Sequence, residues 1–580
     1  MRDYFRKLLV RSELTAAIFA LRRELSIVAA LSMLANVLML APTLYMLQVF
    51  DRVLTSQNEL TLLAVSAIAL FLYAVMALAE QMRTRVLIIA GVQFDEKLGT
   101  RIFAASFDAY LNQAATIAPK AAGDLTVVRQ FLTGNGIFAF FDVPWVPVYV
   151  AVLYIMHPWL GHMAVVFAFI QAALAWLAHR MTAAPTDVAD KTASAEQLFL
   201  QSKLRNSEAV ESMGMVVNLL EHWRARHHLA IDKATRAQFA LSRISAISKL
   251  VRYTQQSLAL GMGAVLAIDG QITPGAMIAS NVLTSRALAP IDLLVNVWRP
   301  YFSAREAFFR LEGLLARYPR RLRAFKKTVP VGEVKLIDVV ARAPGRNEPI
   351  LRQVSLDTTP GILTVVMGPS GSGKSTLARV MVGIWSDVRG EVLLDGVAID
   401  SWDRIELGPH IGYLPQDVEL FEGTIAENIA RFGQIDSAKV IEAAKTTGLH
   451  DMILRFPKGY DTTIGESGGM LSGGQRQRIG LARAVYGKPA LIVLDEPNAN
   501  LDEAGENALM LAVLDLKNEG KNIVLVTHRS AAMAATDRLV VMQNGRIQAM
   551  GPRDAVLLAL QEAKNNPPSA HAGPSEQTSA

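Results

Sequence analysis

The sequence predicts a multi-domain membrane protein: a six-helix all-α transmembrane part followed by an α/β part built around a phosphate-binding loop. Three observations point there. Hydrophobic residues make up 51% of the chain and charged residues 19%, with a mean hydropathy of +0.27, too apolar for an ordinary soluble chain and far from a disordered composition. Long uncharged runs are confined to the first three hundred positions. At Val331 the pattern switches to short β-type runs alternating with helical ones. At roughly 100–200 residues per domain, 580 residues would make three or four soluble units, unless part of the chain lies in a membrane. The absence of cysteine excludes disulfide frameworks, thiolate metal sites and cysteine nucleophiles.

A short segment, 1–24, precedes the membrane part, 25–315. Leu25–Phe50 and Leu60–Ala79 carry no charge, and each is long enough at about 1.5 Å per residue to cross a core of roughly 30 Å. Ile137–Met156 and Pro158–Ala178 form a second pair. A third, about Val251–Ile268 and Thr273–Val297, is interrupted by Gln255, Gln256, Asn281 and Arg286. The first run is about twice the length of a signal-peptide core, and no small-residue cleavage site follows it. Six basic residues in 80–136 and ten in 179–250, against Arg52 alone in the opposite turns, predict cytoplasmic termini and cytoplasmic linkers. The helical spacing of those linkers predicts helices continuing out of the bilayer. Asp142 and Arg286 fall inside spans at similar depth, where a lone charge costs roughly 2.5–3.5 kcal/mol. They are expected to share one polar layer, as a pair or as parts of a passage.

Charge separates the halves. Residues 1–330 carry 34 Lys+Arg and 22 Asp+Glu, and residues 331–562 carry 23 and 29. The basic excess therefore belongs to the membrane half, and a nucleic-acid partner is not expected.

After a basic linker, 316–330, the second part runs over 331–562. Thr364–Met367 reads as a buried strand, and Gly368, Pro369, Ser370, Gly371, Ser372, Gly373, Lys374 and Ser375 follow it directly, with Thr376 opening a helix. This strand–loop–helix order is the context the phosphate-loop motif requires, since its glycines let successive N–H groups close around a phosphate at a helix N-terminus. Lys374 then supplies charge at the β and γ phosphates, and the Ser375 hydroxyl suits Mg²⁺. Ala490–Leu494 is an apolar strand ending in Asp495 and Glu496. Asp495 is placed to hold the metal. Glu496 is placed as the general base, because activating water at neutral pH needs an acceptor within hydrogen-bond reach. Gln416, after the strand Ile411–Leu414, can bridge Mg²⁺ and a mobile neighbour, and His528, after Asn522–Val526, can donate to the γ-phosphate.

Between the loop and the acidic strand, Leu471, Ser472, Gly473, Gly474 and Gln475 match the signature of ATP-binding cassette (ABC) proteins, and with Gln416, Asp495, Glu496, Ala499–Asp502 and His528 the motif set stands in that family's order. The chain thus resembles an ABC exporter fused to its ATPase. The resemblance implies that ATP is the nucleotide, with Mg²⁺, and that Ser472–Gln475 and Asp502 close on the γ-phosphate bound by a second copy, making a homodimer. It implies that Gly123–Gly136 and Glu208–Trp223 are coupling positions. One site departs from the pattern: Ala343 stands where such exporters carry an aromatic that stacks on adenine, so weaker ATP-over-GTP discrimination is expected.

Within that family, Tyr45–Leu54, Asp142–Trp145 with His157–Trp159, Ser285–Pro290 and Asp495–Asp502 resemble the permease/ATPases of bacterial type I secretion, PrtD-type exporters of proteases and lipases, over roughly Ser12–Glu562. That resemblance implies an inner-membrane location and an unfolded polypeptide substrate with a C-terminal signal. It also implies a periplasmic membrane-fusion adaptor and an outer-membrane channel protein as partners. With about 24 residues before the first span and no cysteine, leader trimming by a cysteine peptidase is not expected. The alternative is an exporter of lipids or amphiphiles, which would need no adaptor. The tail, 563–580, rich in Pro, Ser, Ala and Gly, is expected to be disordered.

Overall fold

The computed structural model describes residues 12–112, 118–204, 206–319, 329–343, 348–465 and 471–565. They divide into two compact units: the first runs to Pro319 apart from 110–114, and the second takes up the rest.

The first unit is helical. After α1 (Glu13–Ala20) come α2 (Arg22–Leu38), α3 (Ala41–Gln48), α4 (Glu59–Leu111), α5 (Ala121–Thr133), α6 (Asn135–Asp142), α7 (Val146–Met156), α8 (Pro158–Leu204), α9 (Val216–Ile268) and α10 (Pro274–Arg317). At 53 residues each, α4 and α9 are about 80 Å long, more than twice a hydrocarbon core. The linkers therefore continue the spans as helices, as their spacing predicts. Four stretches, 22–56, 59–111, 121–156 and 158–204, are long and apolar enough to cross a membrane. Helices α9 and α10 are long but too polar for that test, and the structure shows why. Gln171 Nε2 donates to Gln255 Oε1 at 3.2 Å, and Gln255 Nε2 donates to the Thr284 carbonyl at 3.3 Å, both inside the bundle. These polar side chains join α8, α9 and α10 to one another, the role interhelical hydrogen bonds play in a membrane. Outward positions stay apolar, with Ile155 84% and Phe169 73% exposed.

Of the two arrangements expected for the polar layer, the pairing of Asp142 with Arg286 is corrected. The partner of Asp142 is Arg83, at 3.1 Å, with Asn36 donating to the same carboxylate at 2.7 Å, whereas Arg286 is exposed. Counted from sequence among the cytoplasmic linker residues, Arg83 is one turn past Ala79 on the unbroken α4 and reaches back. The third span breaks at this point, α6 passing through a 3-10 turn, Val143–Trp145, into α7. Tyr149 donates to the Asn36 carbonyl at 2.8 Å and closes the network. Residues 123–133 lie in α5, where Asp124 binds Arg310 of α10 through two contacts of 2.9 and 2.7 Å. Residues 207–212 form a separate short helix before α9.

The second unit holds two main sheets. Its strands are β1 (Val334–Arg342), β2 (Pro349–Thr358), β3 (Leu363–Met367), β4 (Val388–Leu394), β5 (Val397–Ala398), β6 (Ile411–Leu414), β7 (Gly423–Thr424), β8 (Thr463–Ile464), β9 (Leu491–Asp495), β10 (Asn522–Val526), β11 (Arg538–Gln543) and β12 (Arg546–Pro552). A sheet of order β2-β1-β4-β5 stands beside one of order β12-β11-β3-β10-β9-β6. In the larger sheet the pairs β11–β3, β3–β10, β10–β9 and β9–β6 are all parallel. Strands β9 and β10 are buried at every position, as covering both faces of a parallel sheet requires. The helices that matter for chemistry are α11 (Lys374–Met381), α12 (Gly473–Val485) and α13 (Glu503–Asn518), and the last described helix is α14 (Arg553–Asn565). Of the tail 563–580, expected to be disordered, residues 563–565 are instead the last turn of α14, and 566–580 lie outside the described residues, as does 320–328 of the linker.

Candidate nucleotide-binding and hydrolysis site

The parallel sheet decides which sequence-distant residues meet. Adjacent strands β3, β10, β9 and β6 deliver, just past their C-terminal ends, the Gly368–Ser375 loop, His528, Asp495 with Glu496, and Gln416. Ligands of open α/β sheets bind at that edge.

The loop is a backbone device. Gly368 has φ of 153°, and a Cβ there would stand 2.2 Å from the Met542 carbonyl. Gly373 caps α11 at φ 99°, where a Cβ would meet Leu351 at 2.9 Å. No other residue fits these two positions. Lys374 is buried, and its Nζ donates to the Gly368 and Pro369 carbonyls at 2.9 and 3.0 Å. Burial pulls the lysine below its ordinary pKa, against Glu496 and Asp495, which hold it up. Its ammonium thus sits folded onto the loop that a phosphate would occupy.

Asp495 is fully buried, and neither carboxylate oxygen has a hydrogen-bond partner. Burial pushes its carboxyl above the usual range, and Glu496 adds to this. The Ser375 hydroxyl, Arg379 and Lys374 counter it. An orphaned buried carboxylate beside a hydroxyl is a poor resting arrangement and a good divalent-cation site, so Ser375 and Asp495 fit Mg²⁺.

Glu496, Gln416 and His528 come together in space. Gln416 Nε2 donates to Glu496 Oε2 at 3.2 Å, and His528 Nε2 lies 3.6 Å from Glu496 Oε1. Glu496 has φ of 48°, a conformation uncommon for a side chain of its size. Its amide is held by the Val526 carbonyl at 2.9 Å and its own carbonyl accepts from Ala499 N at 3.2 Å, so the strained residue is fixed from both sides.

Ser472 and Gln475 form a capping box at the start of α12: Gln475 N donates to Ser472 Oγ at 3.2 Å and Ser472 N donates to Gln475 Oε1 at 2.9 Å. A Cβ on Gly474 would meet the Asn500 carbonyl at 2.8 Å. Asp502 caps α13 through Gly505 N at 2.9 Å and pairs with Arg478. The Gly505 amide, and after it the Arg478 charge, hold the Asp502 carboxyl below the usual range. Among the described residues, no hydrogen bond or ion pair joins Ser472–Gln475 or Asp502 to the Gly368–Thr376 loop. One copy therefore presents two separate half-sites.

Sequence reasoning did not single out Arg478, or the buried Asn498 and Thr527. Their side chains act on a neighbouring loop or helix end, and no motif marks such contacts. Ala343 sits partly buried just past β1, and no aromatic takes its place in the sequence at that position.

Two families match the chain, ABC transporter transmembrane region over residues 25–290 and ABC transporter over residues 351–499. The type I secretion system ATP-binding protein PrsD of Rhizobium meliloti is 41% identical over 532 residues, 91% of each chain. The cyclolysin secretion/processing ATP-binding protein CyaB of Bordetella pertussis is 29% identical, over 92% of this chain and 75% of its own. The leukotoxin translocation ATP-binding protein LktB of Mannheimia haemolytica is 26% identical, over 91% and 75%. Among solved structures, a bacterial Atm1-family ABC exporter with ATP bound superposes with a TM-score of 0.78 at 21% identity, covering 95% of this chain and 99% of that one. The last likeness speaks for the fold alone.

Proposed function

As the chain belongs to the ABC transporters, among the type I secretion ATP-binding proteins, we propose that it works as a homodimer using ATP hydrolysis to export an unfolded polypeptide with a C-terminal signal across the bacterial inner membrane. Its relatives' names speak of protein secretion rather than lipid transport, which favours this reading over an exporter of amphiphiles. A periplasmic adaptor and an outer-membrane channel complete the route, and both termini lie in the cytoplasm, in keeping with the basic linkers.

The observation that carries the enzymatic part is the convergence of Gln416, Glu496 and His528 at the edge of one parallel sheet that also carries Lys374 and Asp495. In this scheme the glycine loop and Lys374 hold the phosphates. Glu496 accepts a proton from the attacking water, Gln416 orients that carboxylate, and His528 donates to the γ-phosphate. Mg²⁺, held by Ser375 and Asp495 with Gln416 near, would neutralise phosphate charge.

Two observations support the dimer. Among the described residues, the signature half-site makes no hydrogen bond or ion pair to the phosphate loop of its own copy. The long helices also keep apolar side chains uncovered well past the spans, with Phe103 67%, Phe107 59% and Phe239 63% exposed, surface that a second copy would cover. ATP-driven closure of two cassettes then has the differential binding energy to shift the membrane helices between states.

The test is affinity capture of Glu496→Gln in membranes with ATP, followed by identification of co-purifying chains. Hydrolysis should fall by about 10²–10⁴-fold, the usual share of a general base, and adaptor and polypeptide cargo should be recovered. Recovery of lipid alone would transfer the assignment to amphiphile export.

A further inference from the structure

Glu496 and His528 are placed opposite one another, yet little joins them directly. Their gap is 3.6 Å, and the His528 side chain is 46% exposed. What fixes their spacing must therefore lie in the loops that carry them. One residue before His528, the buried Thr527 hydroxyl donates to Asn498 Oδ1 at 3.2 Å and accepts from Arg529 N at 3.2 Å. Asn498 stands two residues after Glu496, is 9% exposed and accepts Leu501 N through its own carbonyl at 3.3 Å. One residue after His528, Arg529 Nε lies 3.6 Å from Glu506 on α13, the helix that Asp502 caps. Both neighbours of the histidine are thus anchored on the segment that leads from Glu496 through Asp502 into α13.

We propose that Asn498 and Thr527 are positioning residues that make the Glu496–Asp502 segment and the His528 loop move as one body. The distance between the water-activating carboxylate and the phosphate-sensing imidazole is then set from behind the site. A displacement of Asp502 also reaches His528 without passing through the nucleotide. Neither residue belongs to the set assigned to nucleotide or Mg²⁺. The hydroxyl of Thr527 is the pivot, because it bonds both the 496–502 segment and the backbone beyond His528. This inference rests on the roles proposed above for Glu496 and His528.

The test uses the full-length chain in proteoliposomes, measuring steady-state ATP hydrolysis for Thr527→Val, Thr527→Ser, Asn498→Ala and the double variant Asn498→Ala/Thr527→Val, with Glu496→Gln alongside. Thr527→Val and Asn498→Ala should each lower kcat by roughly tenfold, a cost typical of sub-ångström misplacement of a catalytic group, while KM for ATP stays within about twofold, since binding groups are untouched. The double variant should be no worse than either single one, and Thr527→Ser, which keeps the hydroxyl, should restore the rate. Full-speed kcat in both single variants, additive losses in the double, or a Thr527→Ser rate as low as that of Thr527→Val would each overturn the proposal. If Glu496→Gln itself hydrolyses at the wild-type rate, the underlying assignment fails and this one with it. A silent Thr527→Val beside an inactive Glu496→Gln removes the positioning pair alone.

Discussion

Asp495 is the residue at which stability and function pull apart. A buried carboxylate with both oxygens unpartnered destabilises the nucleotide-free fold, and a bound cation would relieve it. Asp495→Asn is therefore expected to raise the nucleotide-free unfolding midpoint, by roughly 2 °C or more, while abolishing Mg²⁺-dependent hydrolysis. The pH sign follows from the raised pKa. Between its ordinary value near 3.9 and the higher folded value, the folded state keeps a proton the unfolded chain has lost, so wild-type stability falls as pH rises through that window. Differential scanning of wild type and Asp495→Asn across pH 3–7 should show the gap widening upward; a constant gap would refute the cause. Ala343 carries the second expectation at this scale. Without an aromatic to stack on the base, worth roughly 1–3 kcal/mol, GTP should compete with ATP nearly equally, and competition binding with strong adenine preference would contradict it.

At the scale of elements, the break between α6 and α7 is where charge enters the bundle. The Arg83 and Asp142 side chains are 13% and 14% exposed, and the Arg83 guanidinium also lies 4.2 Å over the Phe138 ring. Removing one member of such a pair leaves an unpaired charge and costs roughly 3–5 kcal/mol, whereas replacing both by apolar residues is often neutral. Arg83→Met and Asp142→Leu should each lower the unfolding midpoint in detergent sharply, and the double variant should recover most of the loss. Additive losses would mean that the two charges stabilise the bundle separately. The polar Gln171–Gln255–Thr284 chain works differently, since its members are neutral and each loss costs about one hydrogen bond.

At the scale of the whole molecule, the two half-sites support the proposed homodimer, in which a second copy supplies the complement. A C₂ pair would bring Ser472 of each copy to the phosphate loop of the other, giving two equivalent seams. Because the chain has no cysteine, Ser370→Cys with Ser472→Cys in the Glu496→Gln background offers a clean readout. ATP should drive oxidative cross-linking to a species of twice the mass. Cross-linking that stays within one copy, or that ignores ATP, would overturn the homodimer.

Much of this was legible without coordinates. Phosphate-loop glycines, the signature and the acidic strand end are contiguous motifs whose chemistry depends on near neighbours, and the parallel strands that present them are continuous apolar runs. Helical extensions were legible for the same reason, because period and length are local. The partner of Asp142 was not, since depth counted along each span treats helices as independent and ends them where charge begins. Arg83 belongs to a helix that ignores that boundary. Nor did any motif mark Thr527 beside Asn498, 29 positions apart. By itself the sequence determined the class of membrane ATPase and picked out the residues proposed to handle phosphate. Only the tertiary structure decided which charges pair across helices and which loops share an anchor, because those contacts join distant segments whose meeting is set by packing and not by any local pattern.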